Sequence, residues 1–169
     1  MRAQQRDTRR TLSIDYRLTG AGWSACSVRF CEERCELSAS YLSDALADLV
    51  DAAAAVTAGA GSHDVVARFL EEPGEYRWVI AHESATDVRV AILEFDDFLP
   101  RRADAEGKVL LSFTCARLDF GRAVRDAAVR VRDIHGEAGY LEEWGEHGFP
   151  ARELASLQRR IVEAERHGA

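Results

Sequence analysis

Between Thr11 and Leu18 the chain alternates, with Leu12, Ile14, Tyr16 and Leu18 apolar and Ser13, Asp15 and Arg17 polar. A period of two places the apolar set on one face of a half-buried strand. Gly20-Ala21-Gly22 breaks this run, and residues 23–31 resume it with Cys26, Val28 and Phe30 together. A turn at residues 32–34 leads to a short third strand ending near Ala39, which makes a three-strand meander. Ser40 then offers an N-cap hydroxyl, and Leu42, Leu46, Leu49, Ala53 and Val56 recur at steps of four and three. That spacing predicts a helix over residues 41–58 with one apolar stripe, closed at Gly59 or Gly61.

The stretch from Val65 to Phe95 reads as two successive hairpins. Glu71-Glu72-Pro73-Gly74-Glu75 is a turn in which Pro fixes φ and Gly is expected to supply a positive φ; residues 84–86 form the second turn. In the simplest register Phe69 faces Trp78, Trp78 faces Ile92, and Ala67, Ile80 and Val90 form the next row, so one face is almost wholly apolar. The opposite face mixes Val66, Leu70, Val79, Ala91, Leu93 and Phe95 with Arg68, Arg77 and Arg89. A polar link over residues 100–107 leads to a strand at 108–115. Asp119 then caps a helix that turns Phe120, Val124, Ala127, Ala128, Val131 and Ile134 inward and ends at Gly136 or Gly139. Residues 140–145 read as a short helical turn, and Pro150 opens a last helix bearing Leu154, Leu157 and Ile161. Runs of strands separated by helices, without strict alternation, predict an α+β domain. The expected layout is an antiparallel meander of about seven strands with about three helices on one face. The opening residues, MRAQQRDTRR, hold four arginines and no core former after Met1. They are expected to be a flexible tail over 1–10, leaving 11–167 as a single domain.

Composition narrows the function classes. The chain has 169 residues, 47% hydrophobic and 30% charged, so a core can form without a metal or disulfide. A net charge of −7 disfavours phosphate backbones, and nucleic acid is not an expected partner. No apolar run approaches the ~20 residues that cross a bilayer, so no membrane association is expected and the chain reads as cytoplasmic. Lys108 is the only lysine; every other basic side chain except the histidines is arginine.

Candidate chemistry is sparse. Cys26, Cys31 and Cys35 span a strand and a turn with Cys115 far away, a spacing that fits free thiols better than a zinc knuckle; no metal or cofactor is expected. A labile Cys31–Cys35 bridge is the alternative. Glu94, Asp96 and Asp97 close one strand near Glu71, Glu72 and Glu75, and could hold a cation or act as an acid/base pair, although solvated strand ends look the same. His63, His82, His135, His147 and His167 form no metal motif, and nucleophile-elbow, P-loop and Rossmann signatures are missing from the sequence. Arg117, Arg122, Arg125, Arg130 and Arg132 read as an ordinary helix face or an anion patch. Tyr140, Trp144 and Phe149 read as a cap over one end of the core.

The mixed sheet face is the preferred site. Arginines and aromatics on rigid strands suit a protein interface, so Arg68, Arg77, Val79, Arg89, Leu93 and Phe95 are the expected interaction surface. The competing reading covers that face with the chain's own first strand or tail. The alternative functional site is a ligand or enzyme pocket built from His82, Glu94, Asp96 and Trp144. Residues 39–46 (ASYLSDAL), 71–78 (EEPGEYRW) and 94–97 (EFDD) resemble a group of small uncharacterised proteins from GC-rich bacteria; the resemblance spans most of the chain and implies no activity. In size, acidity and layout the chain is also similar to immunity proteins of bacterial toxin systems, which implies an inhibitor of a protein partner. The expected function is a non-enzymatic module that binds a protein partner or forms a homodimer.

Overall fold

A computed structural model describes residues 11–59, 61 and 63–167; the expected N-terminal tail lies outside the described residues. Three strands come first, β1 (Leu12–Gly20), β2 (Trp23–Phe30) and β3 (Glu33–Ser40), followed by helix α1 (Ala45–Thr57). Four more strands follow, β4 (Val65–Leu70), β5 (Glu75–His82), β6 (Asp87–Phe95) and β7 (Lys108–Ala116). Helices α2 (Arg117–Trp144) and α3 (Ala151–His167) follow. The α+β class holds, with seven antiparallel strands and three α-helices among the described residues. The strands divide into two meanders, β1-β2-β3 and β4-β5-β6-β7, with α1 between them in sequence.

The alternation read from the sequence sets the inner faces. Ile14, Tyr16, Cys26, Val28, Cys35 and Leu37 are buried on the three-stranded sheet, while Ala67, Phe69, Trp78, Ile80, Val90, Ile92, Leu111 and Phe113 are buried on the four-stranded one. Aromatic contacts join the layers: Tyr16 meets Phe69 edge-on at 6.0 Å, Phe30 stacks on Phe113 at 4.7 Å, and Trp78 lies 6.4 Å from Phe120 of α2. Helix α1 departs from the expected single stripe. It starts at Ala45, and Ala45, Leu46, Leu49, Val50, Ala52, Ala53, Ala54, Val56 and Thr57 are all buried, because β4, β5, α2 and α3 surround it. The Arg117 guanidinium donates to the Thr57 carbonyl oxygen, satisfying an acceptor that the helix C-terminus would leave orphaned.

The second hairpin keeps the expected register, Trp78 with Ile92 and Ile80 with Val90. In the first, Phe69 pairs with Tyr76 and Ala67 with Trp78. The turn holds four residues, closed by Glu71 N–H donating to Gly74 O, so the pairing moves by two positions and every side chain stays on its expected face. Gly74 does not take the expected positive φ; a Cβ there would stand 2.9 Å from the Phe95 carbonyl oxygen, so close backbone approach selects glycine. Helix α2 runs beyond its expected end but breaks at Gly136, whose φ is 66°. Ile134, just before that break, is exposed, contrary to its expected inward position. Tyr140, Trp144 and Phe149 do cap the core end, Tyr140 meeting Phe149 edge-on at 5.5 Å.

Candidate interaction surface

Strand register decides which side chains share the outer face of the four-stranded sheet. Arg68 pairs with Arg77 and Arg77 with Leu93, while Val66, Val79, Ala91 and Ser112 form a second cross-strand row and Arg89 faces Thr114. Arg68, Arg77, Val79, Arg89, Leu93 and Phe95 therefore do project from one side. They do not form one accessible platform. Arg77 is 1% and Phe95 3% exposed, and Leu93 is buried with them.

The chain covers this end itself. Arg77 Nη1 donates to the Arg102 carbonyl oxygen at 2.9 Å and to Asp104 Oδ1 at 2.6 Å, pulling the segment before β7 over the sheet. Gly107 completes the cover: a Cβ there would lie 2.7 Å from the Phe95 ring and 3.0 Å from Leu93. Glu75, 1% exposed, accepts from Nε of Arg68 at 2.7 Å and Nε of Arg77 at 2.9 Å, and its second oxygen takes one further bond from each guanidinium. Arg77 also lies 4.2 Å from the centre of the Phe95 ring, within cation–π range. Burial pushes the Glu75 carboxyl up, but hydrogen bonds and charge from Arg68 and Arg77 outweigh it and hold the group down at about 2. Arg68 and Arg77 are thus internal counterions. A sequence pattern that fits an arginine-rich interface fits a buried ion cluster equally well; the polar link that supplies Asp104 was the overlooked signal.

The rest of the face stays open to different degrees. Val66, Val79, Ala91 and Thr114 are half-buried, Ser112 is exposed, and Val109 at the sheet margin is 58% exposed. Arg89 is exposed beside Glu83, with Nη1 3.4 Å from its carboxylate. What remains open is the cross-strand row of Val66, Val79, Ala91 and Ser112, with Thr114 and the exposed Arg89 beside it.

The alternative pocket residues do not converge. His82 sits opposite Val88 at one end of β5, whereas Glu94 sits opposite Tyr76 near the other, roughly 20 Å away at about 3.3 Å per strand residue. Glu94 binds Lys108 Nζ at 2.9 Å, Asp96 is exposed past the strand end, and Trp144 is fully buried. The expected ligand site is therefore corrected: antiparallel connectivity separates its members. Among the described residues no group of three His, Cys, Asp or Glu side chains is placed to hold a metal. Cys26, Cys35 and Cys115 are buried and Cys31 is exposed. Burial pushes the Cys35 thiol up to about 11. Asp44 Oδ2 stands 3.9 Å from His147 Nδ1, too far for the hydrogen bond of an acid/base pair. The α2 arginines are also engaged: Arg122 with Asp119 and Glu165, Arg125 with Asp126, and Arg130 with the Ile14 carbonyl oxygen.

Edges distinguish the strands further. At β4, the backbone N–H of Leu70 donates to Ser43 Oγ at 3.0 Å and that of Arg68 approaches Asp48 Oδ2 at 3.4 Å. At β1, Arg130 covers the Ile14 carbonyl. No such side-chain cover is found along the outer edge of β7 among the described residues. No protein-family model, curated protein or solved structure matches the chain. No described helix is long and apolar enough to cross a membrane.

Proposed function

We propose that this chain is a non-enzymatic, cytoplasmic module that binds a protein partner or itself through the open part of its four-stranded sheet. The observation that carries the reading is the row of Val66, Val79, Ala91 and Ser112 across all four strands. It lies beside a segment held down by the Glu75–Arg77 cluster, so the surface is presented on a fixed backbone. Rigid presentation lowers the ordering entropy of binding. The immunity-like layout of size, acidity and sheet supports an inhibitor of a protein as the biological form of the same reading.

Photo-crosslinking in living bacteria tests it. A photoreactive amino acid replaces Val79 in one variant and Ser27, on the outer face of the three-stranded sheet, in another. A discrete protein adduct, with this chain or another, is expected at position 79 and none at 27. Equal labelling at both positions, or none at either, removes the proposal.

A further inference from the structure

We infer that the hairpin end of the three-stranded sheet binds a small phosphate monoester, its phosphate on Arg29 and Arg34 and its organic part in the adjoining cavity. The inference goes beyond the reading above, which concerns the other sheet, and the two are independent.

Three observations converge. The first is placement. Register sets Ser13 opposite Arg29 and Arg29 opposite Arg34, one row across all three strands. The neighbouring row of Ile14, Val28 and Cys35 is buried, so alternation turns Ser13, Arg29 and Arg34 outward together, and all three are exposed. Stacking of Phe30 on Phe113 anchors the backbone beside them. The second is charge. Of the arginines on strands, Arg17 pairs with Asp15, Arg68 and Arg77 with Glu75, and Arg89 with Glu83. Arg29 and Arg34 complete the set; among the described residues neither has a carboxylate partner, and they stand directly opposite each other, where like charges repel. The acids of the next outward row are engaged elsewhere: Asp15 with Arg17 and Arg130, and Glu36 as acceptor of the Ser27 hydroxyl.

The third observation is space, and it selects the ligand. Thr11, Ser13, Arg29, Phe30, Glu32 and Glu33 line a cavity of about 990 Å³. That is room for a small molecule. The lining is divided in chemistry, with hydroxyl and guanidinium donors on β1 and β2 and the carboxylates of Glu32 and Glu33 at the turn between β2 and β3. Arg34, on the far side of Arg29 from Ser13, adds the second positive charge. A ligand that suits both parts carries a dianionic group at one end and hydrogen-bond donors at the other, as a phosphate monoester of an amine or a polyol does. Two guanidiniums match the charge of a phosphate dianion, and each presents a fork of N–H donors to its oxygens. A carboxylate, with one charge, would satisfy one arginine and leave the other uncompensated.

NMR titration of the full chain in phosphate-free buffer at low salt tests the inference, with O-phosphoethanolamine, inorganic phosphate and ethanolamine as probes. O-phosphoethanolamine is expected to bind saturably with a Kd of about 1 mM or tighter, shifting the backbone amides of Ser13, Arg29 and Arg34. Inorganic phosphate is expected to bind the same amides more weakly, and ethanolamine not at all. Arg29→Gln and Arg34→Gln are each expected to weaken binding about tenfold, the loss of a charge-assisted hydrogen bond. Thermal melts are expected to show no loss of stability in either, because each removes one member of a like-charge pair. Glu32→Gln combined with Glu33→Gln is expected to erase the advantage of O-phosphoethanolamine while leaving inorganic phosphate bound. A titration without saturable shifts at these amides overturns the inference, as does binding that both arginine variants leave unchanged. A single-stranded oligonucleotide, repelled by the net charge of −7, is expected not to compete. If it displaces O-phosphoethanolamine at lower concentration, the arginine row serves a nucleic-acid backbone and the small-molecule assignment fails.

Discussion

Glu75 shows how a single position can mislead when only its neighbours in sequence are visible. Alternation correctly placed Arg68 and Arg77 on the side opposite the apolar row, but it could not report that Glu75, at the start of the same strand, sits between them on that side. Two guanidiniums sharing one buried carboxylate leave little tolerance for losing it. Glu75→Gln is expected to destabilise the chain by roughly 3 kcal/mol in urea unfolding, because the buried Arg77, left with Asp104 alone, and the half-buried Arg68 lose the carboxylate between them. The pH dependence has a definite sign. The folded group titrates at about 2, below its ordinary 4.5, so its contribution is complete above pH 4.5 and fades as pH falls through 2. The wild-type stability curve should therefore lose on the order of 3 kcal/mol more across that window than the Gln variant does. Equal slopes for the two proteins would show that Glu75 is not held by these arginines.

Among the elements, α1 is where sequence periodicity and final burial part company. Its leucines and valines mark a stripe, but the alanines between them, Ala45, Ala52, Ala53 and Ala54, make the helix thin enough to be buried around most of its circumference, leaving only Asp51 and Ala55 exposed. Small residues on the neighbouring helix complete the fit. Gly121 of α2 packs so close to Thr57 that a Cβ would collide with the threonine hydroxyl, and the Ile161 side chain of α3 lies 3.6 Å from the same point. Gly121→Val is accordingly expected to lower stability by roughly 1–3 kcal/mol through overpacking, despite valine and glycine both being poor helix formers. Urea titration followed by circular dichroism measures it, and a neutral result would mean that α1 and α2 can separate freely. Hairpin register tells the same story in strands. Parity was legible in β4 and β5, since it follows from alternation alone, whereas the two-position offset followed from a turn whose closing bond joins Glu71 to Gly74.

At the level of the whole molecule, two meanders are joined into one core by a few large side chains. Phe30 on Phe113 and Tyr16 on Phe69 are contacts between sheets far apart in sequence. Phe113→Ala is expected to cost about 3–5 kcal/mol while leaving a single unfolding transition. Fluorescence from Trp23 in the first sheet and Trp78 in the second, isolated by replacing the other tryptophans with phenylalanine, checks this; separate midpoints would show that the sheets melt independently. The seven strands and three helices were legible in the sequence because each depends on a local period, a cap or a turn residue: Leu12 to Leu18, the residues around Pro73, and the Leu154–Leu157–Ile161 stripe all declare themselves within a few positions. The candidate surface was legible only as a shared face. Which part stays open was settled by contacts across 25 and 27 residues, Arg77 to Arg102 and Asp104, and the same folding separated His82 from Glu94 and left β7 at the margin. Local periodicity determines where each side chain points along its own element; only the packing of distant segments determines what, if anything, lies on top of it.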